Sequence, residues 1–144
     1  MRTLQLTIGI FAVSCVGCQI RPLKSELVGF PRVVSSREDV SFKIRLRNRS
    51  PMSQPIPTEF EVRYCAAFAF VPGADSKSLS SDFRLNAPRG IDLCPPTCET
   101  IGGFGTRDYE FRWHPPKNTH GEGVLVVQLQ EELPKISPFA VRIE

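Results

Sequence analysis

Apolar and polar residues alternate without a break along the eight residues from Val40 to Arg47. One parity carries Val40, Phe42, Ile44 and Leu46, and the other carries a serine, a lysine and two arginines. A period of two predicts a β-strand with one buried and one solvated face. Because a single ribbon cannot bury four large side chains, the pattern also predicts a second layer packed against this strand.

Further runs of the same period predict the other strands. A second strand is predicted from 58 to 70, where every second residue is apolar: Phe60, Val62, Tyr64, Ala66, Phe68 and Phe70. Tyr109–Trp113 and Phe139–Ile143 predict two more, and Gly123–Gln130, apolar on both faces, predicts a central strand. Less regular segments predict an edge strand within 26–34 and fragments at 81–86 and 90–93. The core residues expected from these parities are Phe42, Ile44, Val62, Tyr64, Phe111 and Trp113.

Prolines and glycines separate these runs. Pro51, Pro55 and Pro57 predict irregular structure up to residue 58. The segment Cys94–Gly105 begins with a Pro-Pro pair and ends in a glycine-rich stretch, which predicts a loop. Asn48-Arg49-Ser50 matches both a turn and an N-glycosylation acceptor, and the turn is the preferred interpretation.

Short strands, frequent turns and 13 prolines predict an all-β fold. We expect an immunoglobulin-like antiparallel β-sandwich of about seven strands, with a jelly roll as the main alternative. The pattern of Val40–Asn48 and of the late strands Tyr109–Trp113 and Gly123–Gln130 resembles bacterial immunoglobulin-like domains of the CARDB or fibronectin type III kind. This resemblance covers residues 38–143 and implies that the two late strands form a hairpin.

The first 18 residues have the features of an export signal. Arg2 supplies an early positive charge, and the apolar run that follows is shorter than the roughly 20 residues of a membrane span. The run ends at Val16-Gly17-Cys18, which resembles a bacterial lipoprotein signal, although Cys15 stands where that family prefers an aliphatic residue. The resemblance implies a signal peptide at 1–17, lipid on Cys18, a tether at 18–23 and one domain at 24–144. Ordinary secretion and an uncleaved signal anchor are the alternatives.

The cysteines after the signal are expected to form a disulfide, because thiols pair in oxidising compartments. Cys65 to Cys98 is the favoured bridge, with Cys94 as the alternative partner. A loop of about 30 residues gains more in the chain-entropy model than the ring between Cys94 and Cys98. An extended Pro-Pro pair would also hold those two cysteines too far apart. Cys65 lies on the parity opposite to Tyr64, so it is expected to face away from the core; three unpaired thiols remain an alternative.

The charge of the exported part is nearly balanced, since 17 basic and 15 acidic side chains remain when Arg2 is left out. This balance does not favour nucleic acid as a partner. The polar face of the strong strand is basic. This face fits either a solvated sheet surface or contact with anionic lipid headgroups. Together with the turn that follows the strand, it carries Lys43, Arg45, Arg47 and Arg49.

No catalytic residue, metal site or cofactor is predicted. His114 and His120 are the two histidines of the chain. The spacing of Cys94 and Cys98 is not that of a zinc knuckle, and a thiol nucleophile would need a base within hydrogen-bond reach. The aromatic row Tyr109–Trp113 fits strand core better than a carbohydrate platform.

The sequence therefore predicts a non-enzymatic, lipid-anchored protein of the bacterial cell envelope, facing the periplasm or the exterior. Its surface loops would mediate adhesion, scaffolding or assembly with another envelope protein. One alternative is a small-ligand-binding or protease-inhibiting module that uses the loop Cys94–Gly105. Another is a Cys/His hydrolase with His114 or His120 as its base. The sequence does not predict the partner or the oligomeric state.

Overall fold

The computed structural model describes residues 22–77, 79, 99–129 and 133–144. These residues form nine strands and one short helix, numbered in chain order. The elements are β1 (Leu23–Val28), β2 (Val33–Val34), β3 (Val40–Asn48), β4 (Gln54–Ile56), α1 (Glu59–Cys65), β5 (Ala67–Pro72), β6 (Glu99–Ile101), β7 (Thr106–Trp113), β8 (Gly121–Gln128) and β9 (Phe139–Ile143). The strand fragments predicted at 81–86 and 90–93 lie outside the described residues.

β3 is the middle strand of a three-stranded sheet. It pairs antiparallel with β1 on one side and with β7 on the other, so that Val40 lies opposite Trp113 and Arg47 opposite Thr106. The predicted alternation is confirmed, because every residue of the apolar parity is buried: Val40, Phe42, Ile44 and Leu46.

The second sheet has four strands in the order β2-β9-β8-β5. β8 lies between β9 and β5, and Val124, Leu125, Val126 and Val127 are all buried. The central strand predicted from this apolar run is therefore confirmed. β2 runs parallel to β9, whereas the other pairs of this sheet are antiparallel.

Aromatic rings from both sheets meet in the core. Phe68 of β5 lies 5.5 Å from Phe42 of β3 and 5.3 Å from Phe111 of β7, measured between ring centroids. Phe30, between β1 and β2, lies 5.1 Å from Phe42 and 5.6 Å from Phe139 of β9. These contacts are edge-to-face, a geometry that aromatic quadrupoles favour. The two sheets are therefore the layers of one sandwich.

The strand order is immunoglobulin-like, which confirms the predicted fold class. In that arrangement strands A, B and E share one sheet, and C, F and G share the other. Here β1, β3 and β7 take the places of A, B and E, while β5, β8 and β9 take those of C, F and G. The short parallel β2 adds an edge beside β9.

The domain has two ends, defined by β3. Its nine residues span about 27 Å at a rise of about 3.4 Å per residue. The Asn48 end carries residue 22 and the connections 49–53 and 102–105. The Val40 end carries the connections 35–39 and 114–120.

The strand predicted from 58 to 70 is wrong in its first half, because residues 59–65 form α1. Thr58 begins the helix with a capping box. Its hydroxyl accepts a hydrogen bond from the Glu61 N–H at 3.4 Å, and the Glu61 carboxylate accepts one from the Thr58 N–H at 2.8 Å. The second half of the predicted strand is confirmed as β5, which pairs with β8.

The helix also changes which side chains are buried. Val62 is buried as predicted, but Tyr64 is 54% exposed and is not a core residue. Phe60 is exposed as well. Cys65, expected to face outward, is buried at the end of the helix. A strand would place Phe60, Val62 and Tyr64 on one face. With 3.6 residues per turn, the helix instead directs Val62 away from the other two.

The predicted hairpin of late strands is also wrong. β7 belongs to the three-stranded sheet and β8 to the four-stranded sheet, so the chain crosses between sheets after Trp113. Pro115, which follows, is fully buried at this crossing.

The predicted irregular segments around residues 55 and 100 contain a small sheet. β4 and β6 pair antiparallel, with Pro55 opposite Thr100. A proline fits here because this ladder has only two strands, and edge positions tolerate the missing N–H. The loop expected from Cys94 to Gly105 is therefore wrong at 99–101.

Candidate functional site

An open cleft of about 730 Å³ lies at the Val40 end. β2 lines it with Val33 and Val34, and the connections 35–39 and 114–120 line it with polar and charged residues. We call it the end cleft. The side chains that define its chemistry are Val33, Arg37, Lys117, His120 and Glu144.

Arg37 is held at the tip of a tight turn. The Glu38 N–H donates to the Ser35 carbonyl at 3.4 Å, and the Arg37 N–H donates to the Ser35 hydroxyl at 3.3 Å. Serine at the start of a turn bonds the backbone two residues later in this way. The sequence around Ser35 therefore stabilises the turn that positions Arg37.

Lys117 lies in a second tight turn. The Thr119 N–H donates to the Pro116 carbonyl at 3.3 Å, and Asn118 has φ of +61°. Asparagine is one of the residues that turns favour at a left-handed position. Lys117 thus follows a proline of fixed φ and precedes the left-handed Asn118.

His114 and Asp39 connect the two turn regions. His114 Nδ1 lies 2.9 Å from Asp39 Oδ1, and both side chains are about half exposed. A histidine oriented by a carboxylate is part of a hydrolytic triad, but the described contacts of this ring include no nucleophile. The pair also lies outside the cleft lining. Its observed role is to join the connections 35–39 and 114–120.

Two cations of the end cleft have no acidic partner among the described side chains. The carboxylate of Glu144 is in an ion pair with Arg142 at 3.4 Å. Arg37 and Lys117 are exposed, and neither forms an ion pair with another residue in the described segments. Arginine offers a planar fork and lysine a point charge to a carboxylate or phosphate. The cleft is therefore suited to an anionic group.

The basic face predicted on β3 is largely neutralised. Its cations pair with carboxylates of neighbouring strands: Lys43 with Glu110 at 3.4 Å, Arg45 with Asp108 at 2.7 Å, and Arg47 with Glu26 at 3.4 Å. Arg49 lies beyond the strand and is exposed without an ion pair to another described side chain. Cross-strand pairing of this kind supports the interpretation as a solvated sheet face.

The aromatic row of β7 is core, as predicted. Tyr109 is fully buried, and Phe111 and Trp113 are less than a tenth exposed. Burial raises the pKa of Tyr109 to about 12. A carbohydrate platform on this row is therefore excluded, because its ring faces pack inside the sandwich.

An exposed aromatic pair does occur elsewhere, on α1. Phe60 and Tyr64 stack with ring centroids 6.0 Å apart and planes 13° apart. The alternation of apolar residues conceals this pair, because it predicts that both side chains lie in a strand core. Helical spacing of i and i+4 was the available signal.

Asn48 is a structural residue rather than a glycan acceptor. It is 1% exposed, and its side-chain amide donates to the carbonyl oxygens of Met52 at 2.7 Å and Gly102 at 3.0 Å. Its own side-chain oxygen accepts from the Ser50 N–H at 2.9 Å. The turn interpretation is confirmed, since a buried and fully engaged amide is not open to modification.

The remaining cysteine predictions are untested. Cys18, Cys94 and Cys98 lie outside the described residues, so the lipid site and the Cys65–Cys98 or Cys65–Cys94 bridge stay predictions. In the described segments no helix is both long and apolar enough to cross a bilayer. Within those same segments, no three metal-ligating side chains cluster.

No family model matches the chain, and no curated protein matches it in sequence. Among solved structures, the chain is similar to a CARDB domain from Pyrococcus furiosus, determined by solution NMR. The TM-score is 0.45 at 12% identity, over 85% of this chain and 94% of that domain. A crystal structure of the same domain in complex with di-metal ions has a TM-score of 0.45 at 12% identity, over 84% and 91%.

A further similarity is to the alkylpurine DNA glycosylase AlkC from Pseudomonas fluorescens, bound to DNA containing an abasic-site analogue. Its TM-score is 0.45 at 14% identity, over 85% of this chain and 30% of that protein. The metal ions and the DNA belong to those proteins. The immunoglobulin-like fold of this chain follows from its own strand pairing.

Proposed function

We propose that this protein is a non-enzymatic, lipid-anchored binding module of the bacterial cell envelope. Cys18 would carry the lipid, and the end cleft would hold an acidic segment of another envelope protein. The result would be adhesion, scaffolding or assembly, with the sandwich acting as a rigid carrier for its loops.

The observation that supports this proposal is the placement of the cleft relative to residue 22. The Arg49 N–H donates to the Pro22 carbonyl at 2.7 Å, so the chain enters the domain at the Asn48 end. The end cleft lies at the opposite end, about 27 Å away along β3. A lipid attached a few residues before Pro22 would leave the cleft directed away from the bilayer and open to a partner.

The chemistry of the cleft indicates the kind of partner. Arg37 and Lys117 offer two cations, and Val33, which is 52% exposed, adds apolar surface beside them. A segment with one or two carboxylates next to an apolar side chain matches both features. Burying an apolar side chain adds affinity, while the charges direct the encounter.

The cleft is tested by photo-crosslinking in cells. A photoreactive residue at Val33 should crosslink an envelope protein, and Arg37→Ala/Lys117→Ala should abolish the product. Lys43→Ala/Arg112→Ala is the matched control, because it removes two exposed cations from the sheet face and changes the net charge by the same amount. Equal loss in both double variants would contradict the proposal.

The anchor has its own test. Metabolic labelling with a fatty acid should tag the wild-type protein and not Cys18→Ser, while both fold alike by circular dichroism. Labelling that survives the substitution would show that Cys18 does not carry the lipid.

A further inference from the structure

Two connections at the Asn48 end are held together as one unit. The Phe104 N–H donates to the Ser50 carbonyl at 2.9 Å, and the amide of Asn48 bonds the carbonyls of Met52 and Gly102. A Cβ atom on Gly103 would overlap the carbonyl oxygen of Pro51, so the two backbones are in direct contact. We call the connections 49–53 and 102–105 the paired loops.

The paired loops expose large apolar side chains. Met52 is 71% exposed and Phe104 is 68% exposed; among the large apolar side chains of the described segments, only Phe60, at 69%, is exposed to a similar degree. Phe104 also has φ of +56°, a backbone conformation that is uncommon for any residue with a bulky side chain. A backbone outlier of this kind that displays an apolar ring is a reason to ask what covers the ring.

A cation accompanies these side chains. Arg49 lies in the first of the paired loops, is exposed, and has no ion pair to another described residue. Apolar tips bordered by a positive charge match the interface of an anionic bilayer, where acyl chains lie beneath phosphate groups.

Chain length identifies the occupant. Pro22 is bonded to Arg49 and stands four residues after Cys18. Four residues extend at most about 14 Å. A lipid on Cys18 therefore keeps the paired loops close to the headgroup region, while the end cleft remains on the far side of the domain.

We propose that the paired loops dock on the membrane surface, with Met52 and Phe104 inserted among the lipids and Arg49 against anionic headgroups. The inference rests on the proposed lipid anchor for its geometry. Together the anchor and the loops give the domain one fixed orientation, since a lipid alone would allow it to rotate about the tether.

Fluorescence quenching in proteoliposomes tests the docking. The full-length lipidated variant Phe104→Trp is reconstituted in vesicles of phosphatidylethanolamine and phosphatidylglycerol, with and without brominated acyl chains. The added emission should be quenched only by the brominated lipid, whereas the buried Trp113 supplies a constant background. Val33→Trp, an exposed site at the other end, is the matched control and should stay unquenched. Unquenched Phe104→Trp, or equal quenching of both variants, would overturn the inference.

A second measurement separates this inference from the anchor. In the Cys18→Ser protein, Met52→Ser/Phe104→Ser should lower the vesicle partition coefficient roughly tenfold or more. The double variant lacks the two apolar side chains whose transfer from water into the lipid favours binding. An unchanged coefficient would overturn the docking even where fatty-acid labelling succeeds. Loss of binding in the double variant when labelling has failed would support the docking and reject only the anchor.

Discussion

Arg45 and Asp108 lie directly opposite each other on β3 and β7 and share two hydrogen bonds. Arg45 Nε donates to one carboxylate oxygen at 2.7 Å, and Nη2 donates to the other at 2.8 Å. The hydrogen bond from Arg45 holds the pKa of Asp108 below its usual value, and the same contact raises the pKa of Arg45. The pair therefore joins the two strands with charges and with a fixed geometry.

Asp108→Asn should lower the free energy of unfolding at neutral pH. Because the pKa of Asp108 is lowered in the folded state, its contribution is present above the unfolded value near 4 and is lost as the pH falls through the folded value. The gap between wild type and variant should therefore shrink in acid. Urea titrations between pH 7 and pH 2 measure this gap. Glu110→Gln, in a longer and more exposed pair, is the control; a gap that stays constant down to pH 2 would reject the linkage.

Tyr109→Phe should make the protein more resistant to alkali. Burial raises the pKa of Tyr109 from about 10 to about 12, so the wild type loses stability as the pH rises from 10 through 12. The phenylalanine variant has no proton to lose there. The wild-type Tyr109 hydroxyl donates to the Pro57 carbonyl at 3.4 Å, and because this hydrogen bond is long, its removal should cost little stability at pH 7. Thermal melts from pH 8 to pH 12 should cross over, and parallel curves would contradict the assignment.

Truncation to alanine should cost much more unfolding free energy at one tyrosine than at the other. Tyr109→Ala removes a fully buried ring and should cost roughly 3–5 kcal/mol of unfolding free energy. Tyr64→Ala alters a ring that is 54% exposed and should stay within about 0.5 kcal/mol. Denaturant unfolding of both variants makes the comparison. Equal losses would return Tyr64 to the core and restore the strand interpretation of residues 58–65.

Thr58→Ala should cost about 1 kcal/mol, because it removes one half of the capping box that begins α1. The loss should be measurable by chemical denaturation. Thr106→Ala, an exposed threonine at the start of β7, serves as the control and should cost less. A loss at Thr58 no larger than at Thr106 would indicate that tertiary packing alone holds the helix.

The sequence predicted β3 and β8 well for a physical reason. β3 buries one face and leaves the other solvated, whereas β8 is buried on both faces, and each case leaves its own pattern of apolar residues. The helix was missed because Phe60, Val62 and Tyr64 alternate by chance over its seven residues. The competing signal was the capping box of Thr58 and Glu61, which is local and specific.

The crossing after Trp113 and the end cleft could not be predicted in this way. A polar connection after Trp113 looks the same whether the chain returns beside its own strand or crosses to the other sheet. Arg37 and Lys117 are 80 residues apart in polar turns, and no periodicity links them. Both histidines were noticed for their rarity, but their shared position at the Val40 end depends on strand pairing.

The pairing of β3 with β7 also affects how fast the domain can form. Val40 and Trp113 are 73 residues apart in the chain, and Arg47 and Thr106 are 59 apart. A long loop must close before either contact is gained, so we expect slow, non-local folding. If the chain is exported as proposed, this delay would be useful. The polypeptide would then remain threadable while it passes through a narrow channel, and the sheet would close only when both strands have reached the far side.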